Sequence, residues 1–97
     1  METNALQKLM SDIYKEKDDT RGLEKTMLWF ISEVGELAEL VVKDNVPDKQ
    51  NKIKSELADC FAWLLSVSNL LELDLEQSLL DKYPYSCSKC LKNPCTC

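Results

Sequence analysis

The chain has 97 residues, of which 44% are hydrophobic and 30% charged, and its formal net charge is −5. This length fits one domain with a small core, and the composition is that of a folded chain rather than a disordered one. The negative charge argues against nucleic-acid binding and against docking to an anionic membrane, and the absence of His excludes Ser-His-Asp catalysis and His-ligated metals. Two Gly and three Pro are too few for the many turns of a β-sandwich and favour long helices.

Hydrophobic periodicity predicts four helices separated by turn-forming residues. Their approximate ranges are residues 3–17, 23–43, 49–73 and 75–82. Thr3 or Asn4 can cap the first helix, and residues 18–22 break it. Asp74 can cap the fourth helix, and Tyr83-Pro84 ends it. The predicted fold is therefore an all-α bundle of about four helices.

The chain divides near residue 84 into a helical domain over residues 1–84 and a Cys-rich tail over residues 85–97. No apolar run approaches the roughly 18 residues of a membrane span, and residues 1–4 open a charged stretch rather than a signal peptide. We therefore expect a cytoplasmic protein without a membrane-spanning segment. Leu28 and Leu65 widen the apolar faces of their helices beyond what one small monomer would bury, which predicts a homodimer or a tetramer.

The second and third predicted helices each carry two acids three positions apart, beside a tryptophan. Acids at this spacing share a helix face, and helices joined by a short turn are antiparallel neighbours, so the four carboxylates can meet. A cluster of four acids needs a compensating cation, and Mg²⁺ prefers oxygen ligands. The alternative is that the four acids are solvated charges on the surface. A di-iron centre of the bundle type would need His. The residues are Trp29, Glu33 and Glu36 in the second helix, and Glu56, Asp59 and Trp63 in the third.

The sequence around these acids resembles that of the MazG-like nucleotide pyrophosphohydrolases. The matching segments are WFISEVGELAE at residues 29–39 and SELADCFAWLL at residues 55–65, and the resemblance extends over roughly residues 1–85. The family pattern is Glu-Glu-x-x-Glu on one helix and Glu-x-x-Asp on the next. Ser32 stands in place of the first Glu of this pattern, so this chain lacks that acid for activating water.

This resemblance implies an all-α enzyme that hydrolyses nucleoside triphosphates to the monophosphate and pyrophosphate, including the removal of noncanonical or excess nucleotides. The resemblance also implies that Mg²⁺ binds between the two motifs and that the subunits pack helix to helix. A related pyrophosphohydrolase, such as one acting on phosphoribosyl-ATP, and a non-catalytic adaptor with a zinc knuckle are the alternatives. Carried over position by position, the metal ligands and catalytic residues would be Glu33, Glu36, Glu56 and Asp59.

Four further residues are candidates for substrate binding. Trp29 and Trp63 either stack on a nucleobase or fill the core of the bundle. Lys52 lies one turn before Glu56 and can reach a phosphate. Asn69 can contact the substrate or a neighbouring helix.

The tail contains four cysteines within eleven residues. Four thiolates can surround one tetrahedral Zn²⁺, and the first pair has the Cys-x-x-Cys spacing of a zinc knuckle. The cytosol disfavours two disulfides, and the spacing matches neither common ferredoxin pattern, so we expect a structural zinc ion. A fifth cysteine, Cys60, lies on an apolar helix face and is expected to be buried. The predicted zinc ligands are Cys87, Cys90, Cys95 and Cys97.

Overall fold

The computed structural model describes residues 2–97, which form four α-helices and no β-strand. The helices are α1 (Thr3–Arg21), α2 (Leu23–Val42), α3 (Lys49–Leu70) and α4 (Leu75–Lys82). Helix α3 packs against both α1 and α2, and α4 contacts α1. The predicted all-α fold is therefore confirmed, although Met1, the first residue of the predicted domain, lies outside the described residues. None of the helices in residues 2–97 is long and apolar enough to cross a membrane.

Helix α1 is about one turn longer than predicted, because residues 18–21 continue the helix instead of breaking it. Arg21 Nη1 donates hydrogen bonds to Asp18 Oδ1 at 2.9 Å and to Thr26 Oγ1 at 3.2 Å, which ties the last turn of α1 to the first turns of α2. The helix ends at Gly22, whose φ of 84° suits a residue without a Cβ atom. A salt bridge within α1 and a tertiary contact thus outweigh the turn-forming tendency of these residues.

The two predicted N-caps have opposite outcomes. Thr3 and Asn4 lie inside α1, and its N-cap is Glu2, whose side chain makes no capping bond, so the predicted cap of the first helix is wrong. Asp74 does cap α4, since its Oδ1 accepts a hydrogen bond from the backbone N–H of Gln77 at 2.9 Å.

Helix α3 ends at Leu70, three residues earlier than predicted. Glu72 adopts a left-handed conformation with φ 56°, and its N–H donates to the carbonyl of Asn69 at 3.1 Å. The N–H of Leu73 donates to the carbonyl of Ser68 at 2.9 Å. These two bonds form a Schellman motif, which satisfies the last carbonyls of the helix and turns the chain towards α4.

Few apolar side chains are buried within residues 2–97, namely Cys60, Leu65 and Val67. Cys60 is therefore buried, as predicted. Helix α3 packs against both α1 and α2, and Leu65 is only 3% exposed, so the expectation that it widens an exposed apolar face is wrong. Leu28, in contrast, is 71% exposed. The other large apolar side chains that α2 exposes include Trp29, Ile31, Val34, Val41 and Val42.

The buried side chain of Gln7 joins three helices. Its Nε2 donates to Asn69 Oδ1 at 3.2 Å and to the Leu73 carbonyl at 2.9 Å, and its Oε1 accepts from the N–H of Leu75 at 2.8 Å. Asn69 Nδ2 donates back to the carbonyl of Gln7 at 2.9 Å. This network fixes α1 against the end of α3 and the start of α4.

Replacement of Gln7 by Leu should destabilise the fold, because it leaves the Leu75 N–H and the Oδ1 atom of Asn69 without their partners. A buried polar group without a partner costs about 1–3 kcal/mol, so we expect the free energy of unfolding to fall by at least that amount. Urea unfolding of Gln7→Leu beside Gln50→Leu measures this, since Gln50 is exposed on α3. Equal losses in the two variants would contradict a structural role for the network.

Candidate metal centres and the adjoining cavity

Three of the four predicted acids converge between α2 and α3. Glu33 of α2 and Glu56 and Asp59 of α3 can each offer one oxygen, and these three atoms lie within 4.8 Å of one another. Glu56 and Asp59 share a face of α3 because they are three residues apart, and α2 packs on that helix after the short connection at residues 43–48. Glu33 and Glu56 are partly buried, whereas Asp59 is exposed.

The fourth predicted acid, Glu36, lies beside this cluster rather than in it. It is exposed and lines a shallow depression together with Glu56 and Lys52. Glu39, one turn further along α2, forms an exposed ion pair with Lys43 at 2.9 Å. The structure therefore brings three of the four predicted ligands together and leaves Glu36 beside Lys52.

The cluster is electrostatically unbalanced in the absence of a cation. Partial burial, the adjacent Glu56 carboxyl and the charges of Glu36 and Asp59 together raise the pKa of Glu33 to about 7, and burial is the largest cause. Glu56 Oε2 is buried without a hydrogen-bond partner in the described chain. A hard divalent cation would compensate the charges and give this oxygen a partner, so the oxygen donors of the cluster fit Mg²⁺.

A cavity of about 360 Å³ adjoins the acids, and both Glu33 and Asp59 line it. Its volume falls within the range of roughly 300–1,000 Å³ that is typical of small-molecule sites. Residues of α1 form the opposite wall, among them Asp18 and Arg21. Both residues belong to the predicted helix break, although their spacing of three also allows them to pair along a continuous helix.

Of the two predicted aromatic residues, Trp63 lines the cavity and Trp29 does not. The two rings stack with centroids 6.1 Å apart and an interplanar angle of 10°. The Arg21 guanidinium lies 4.7 Å from the centre of the Trp63 ring. Trp29 is 52% exposed and borders a shallow depression that also includes Ser32, so Ser32 lies away from the acid cluster.

The remaining two substrate-binding candidates differ in position. Lys52 lies beside Glu36 and Glu56, where an ammonium group can approach a ligand bound at the acids. Asn69 is engaged with Gln7 through both its amide oxygen and its amide nitrogen, so it connects α3 to α1. The position of Asn69 thus agrees with the alternative that it contacts a neighbouring helix.

The four tail cysteines form a second cluster, in which all four sulfurs lie within 4.8 Å of one another. The Sγ atoms of Cys87 and Cys97 are 3.7 Å apart, and those of Cys90 and Cys95 are 3.9 Å apart. A disulfide would need about 2.05 Å, and the five cysteines of residues 2–97 are all free thiols. A tetrahedral Zn²⁺ with Zn–S bonds of about 2.3 Å places its sulfurs about 3.8 Å apart, which these distances match.

Backbone amides hold the thiols in this arrangement. The N–H of Lys89 donates to Cys87 Sγ at 3.4 Å, and the N–H of Thr96 donates to Cys90 Sγ at 3.5 Å. Hydrogen bonds from the amides of Thr96 and Lys92 lower the pKa of Cys90 to about 6. The amide donors therefore favour the thiolate forms of Cys87 and Cys90, and the thiolate is the form in which cysteine binds a metal.

A family model for the MazG nucleotide pyrophosphohydrolase domain matches residues 21–91. A search of the curated proteins finds no match for the chain. The matched region contains α2, α3 and α4, the four predicted acids, and the first two cysteines of the tail. Since it spans well over half of the sequence, the chain belongs to the MazG nucleotide pyrophosphohydrolase family.

Proposed function

We propose that this protein hydrolyses nucleoside triphosphates to nucleoside monophosphates and pyrophosphate, with Mg²⁺ bound at the carboxylate cluster. The observation that carries this proposal is the convergence of Glu33, Glu56 and Asp59 at the edge of a cavity, with a buried Glu56 oxygen that lacks a partner. Membership of the family supports the pyrophosphohydrolase class. The substrate pool is proposed to be cytoplasmic, where such an enzyme would remove noncanonical or excess nucleotides.

The arrangement of the residues suggests how a nucleotide lies on the site. Trp63 and the cavity are on one side of the acids, and Lys52 is on the other. We assign the base to the cavity, where Trp63 provides aromatic surface, and the terminal phosphates to Lys52. Asn69 is assigned a structural role, because its amide is already bonded to Gln7.

The reaction joins a water oxygen to the α-phosphorus and breaks the bond between the α-phosphorus and the bridging oxygen, so that pyrophosphate leaves. Bound Mg²⁺ would supply neutralisation of the phosphate oxygens and a lower pKa for a coordinated water. Glu33, Glu56 and Asp59 would hold the ion, with Glu36 within reach from the adjacent turn of α2. A carboxylate of this cluster accepts the proton of the attacking water.

The exposed apolar face of α2 supports assembly into a homodimer or a dimer of dimers. Leu28, Ile31 and Val42 are 71%, 57% and 76% exposed, and exposed apolar side chains in such a row mark an interface in most folded proteins. A second copy is the proposed partner because the buried core within one chain is small. We further propose that the tail cysteines bind one structural zinc ion, since the sulfur positions fit a tetrahedral ion and all four ligands come from protein.

Removal of one carboxylate should reduce hydrolysis far more than it affects folding. We expect Glu56→Gln and Asp59→Asn to lower pyrophosphate release from nucleoside triphosphates by about 100-fold or more, because neutralisation of phosphate charge is most of the catalysis. Without Mg²⁺, Glu56→Gln should melt at the same or a higher temperature than wild type, because one like charge is removed from a crowded cluster. Turnover is measured with and without Mg²⁺ on several nucleotides and on phosphoribosyl-ATP.

The matched control is Glu2→Gln, whose carboxylate caps no helix and lies outside the cluster. It should retain both wild-type turnover and wild-type melting temperature. Wild-type turnover in both cluster variants would contradict the carboxylate mechanism.

Assembly should be visible by sedimentation at micromolar concentration, with a mass of two or four chains. Leu28→Lys should shift the distribution towards monomer, because it places a charge in the proposed apolar interface. The control Leu91→Lys changes an exposed leucine of the tail and should leave the mass unchanged. A stable wild-type monomer would contradict this proposal.

Elemental analysis of protein purified without added metal should find about one zinc ion per chain. Cys95→Ser should lose this zinc, whereas Cys60→Ala should retain it, because Cys60 lies outside the cluster. Iron with visible absorbance, or disulfides in place of free thiols, would contradict the zinc assignment.

A further inference from the structure

A depression of about 380 Å³ borders the carboxylate cluster and is separate from the cavity that contains Trp63. Lys43, which follows α2, and Lys52, in the first turn of α3, both line this depression. Glu56, a member of the cluster, lines it as well. Two lysines from different helix ends therefore flank one depression beside the proposed position of Mg²⁺.

The side chain of Lys43 is exposed and only weakly engaged. Its Nζ lies 2.9 Å from Glu39 Oε1, and the two side chains are 60% and 64% exposed. Exposed ion pairs of this kind contribute little to stability, because water screens both charges. The backbone of Lys43, in contrast, is anchored, since its N–H donates to the carbonyl of Glu39 at 3.1 Å and its carbonyl accepts a hydrogen bond from Lys49 Nζ. The ammonium group is therefore held near the depression but is free to exchange Glu39 for a more highly charged anion.

The proposed function, on which this inference rests, supplies such an anion. When water attacks the α-phosphorus, the two terminal phosphates leave together as pyrophosphate. This group carries more negative charge than the single ammonium of Lys52 compensates, and its oxygens are spread over two phosphorus centres. A second cation in the same depression matches both the charge and the extent of the group.

We propose that Lys43 is a substrate-binding residue, which together with Lys52 holds the two terminal phosphates of a nucleoside triphosphate. The two lysines then select for the length of the phosphate chain and not for the base. A monophosphate bound at the acids would leave both lysines without a phosphate, and a diphosphate would supply only one. Triphosphates are thereby the preferred class of substrate, and pyrophosphate is a product that competes with them.

The test is calorimetric binding of inorganic pyrophosphate to the full chain with Mg²⁺ in excess, because this probe has no base and needs no turnover. Wild type should bind pyrophosphate about tenfold more tightly than inorganic phosphate, as one added hydrogen bond between charged groups implies. Lys43→Gln should weaken pyrophosphate binding by about tenfold for the same reason, without a change in melting temperature, since the side chain is exposed. Lys43→Arg should keep most of the affinity, because a guanidinium also binds phosphate.

The matched control is Lys54→Gln, which removes the same charge from an exposed position of α3 outside the depression and should bind pyrophosphate like wild type. Three results would each overturn the proposal, namely wild-type affinity in Lys43→Gln, an equal loss in Lys54→Gln, or equal wild-type affinities for pyrophosphate and phosphate. Lys43 would then serve only the C-terminus of α2, where a cation is favourable. Absence of nucleotide hydrolysis, with pyrophosphate binding that still depends on Lys43, would instead contradict only the proposed hydrolysis.

Discussion

The close approach of Glu33, Glu56 and Asp59 is the constraint on which the rest of the structure depends. Packing of α2 on α3 brings three carboxylates together, and it raises the pKa of Glu33, chiefly because burial disfavours the ionised form and also because the neighbouring carboxylates do. A fold that keeps such an arrangement must be stabilised elsewhere or by a cation. The buried, unpartnered oxygen of Glu56 indicates the same requirement.

Polar contacts between buried side chains define how the helices of one chain are arranged. Among the described residues, the buried polar side chains outnumber the buried apolar ones, which are Cys60, Leu65 and Val67. Gln7 links α1 to α3 and α4, and the Asp18–Arg21 pair links α1 to α2 through Thr26. These contacts give the helices one defined arrangement, because a hydrogen-bond network tolerates little displacement. The apolar face of α2, left uncovered, then remains available for a second subunit.

Features that depend on neighbouring residues could be predicted from the sequence, and those that depend on distant partners could not. The existence of four helices, the Asp74 cap and the pairing of acids along one helix face follow from spacings of a few residues. The burial of Leu65 depends on the helices that pack against α3, and the sequence of α3 alone does not encode that packing. The bonds between Asn69 and Gln7 join residues 62 positions apart. The continuation of α1 to Arg21 likewise depends on Thr26 of the next helix.

The two clusters differ in the coordination that they can offer, and this difference assigns their roles. The cysteines provide four sulfurs around one point, which would complete a tetrahedral ion and leave no position for a substrate. The acids provide three converging oxygens, and an octahedral ion bound to them would keep positions for water and phosphate oxygens. The cysteine cluster also forms within eleven residues, whereas the acid cluster requires two packed helices and borders a cavity. We therefore propose that the chemistry takes place at the acids, where coordination stays open, and that a zinc ion on the tail cysteines would order a segment that has no apolar core of its own.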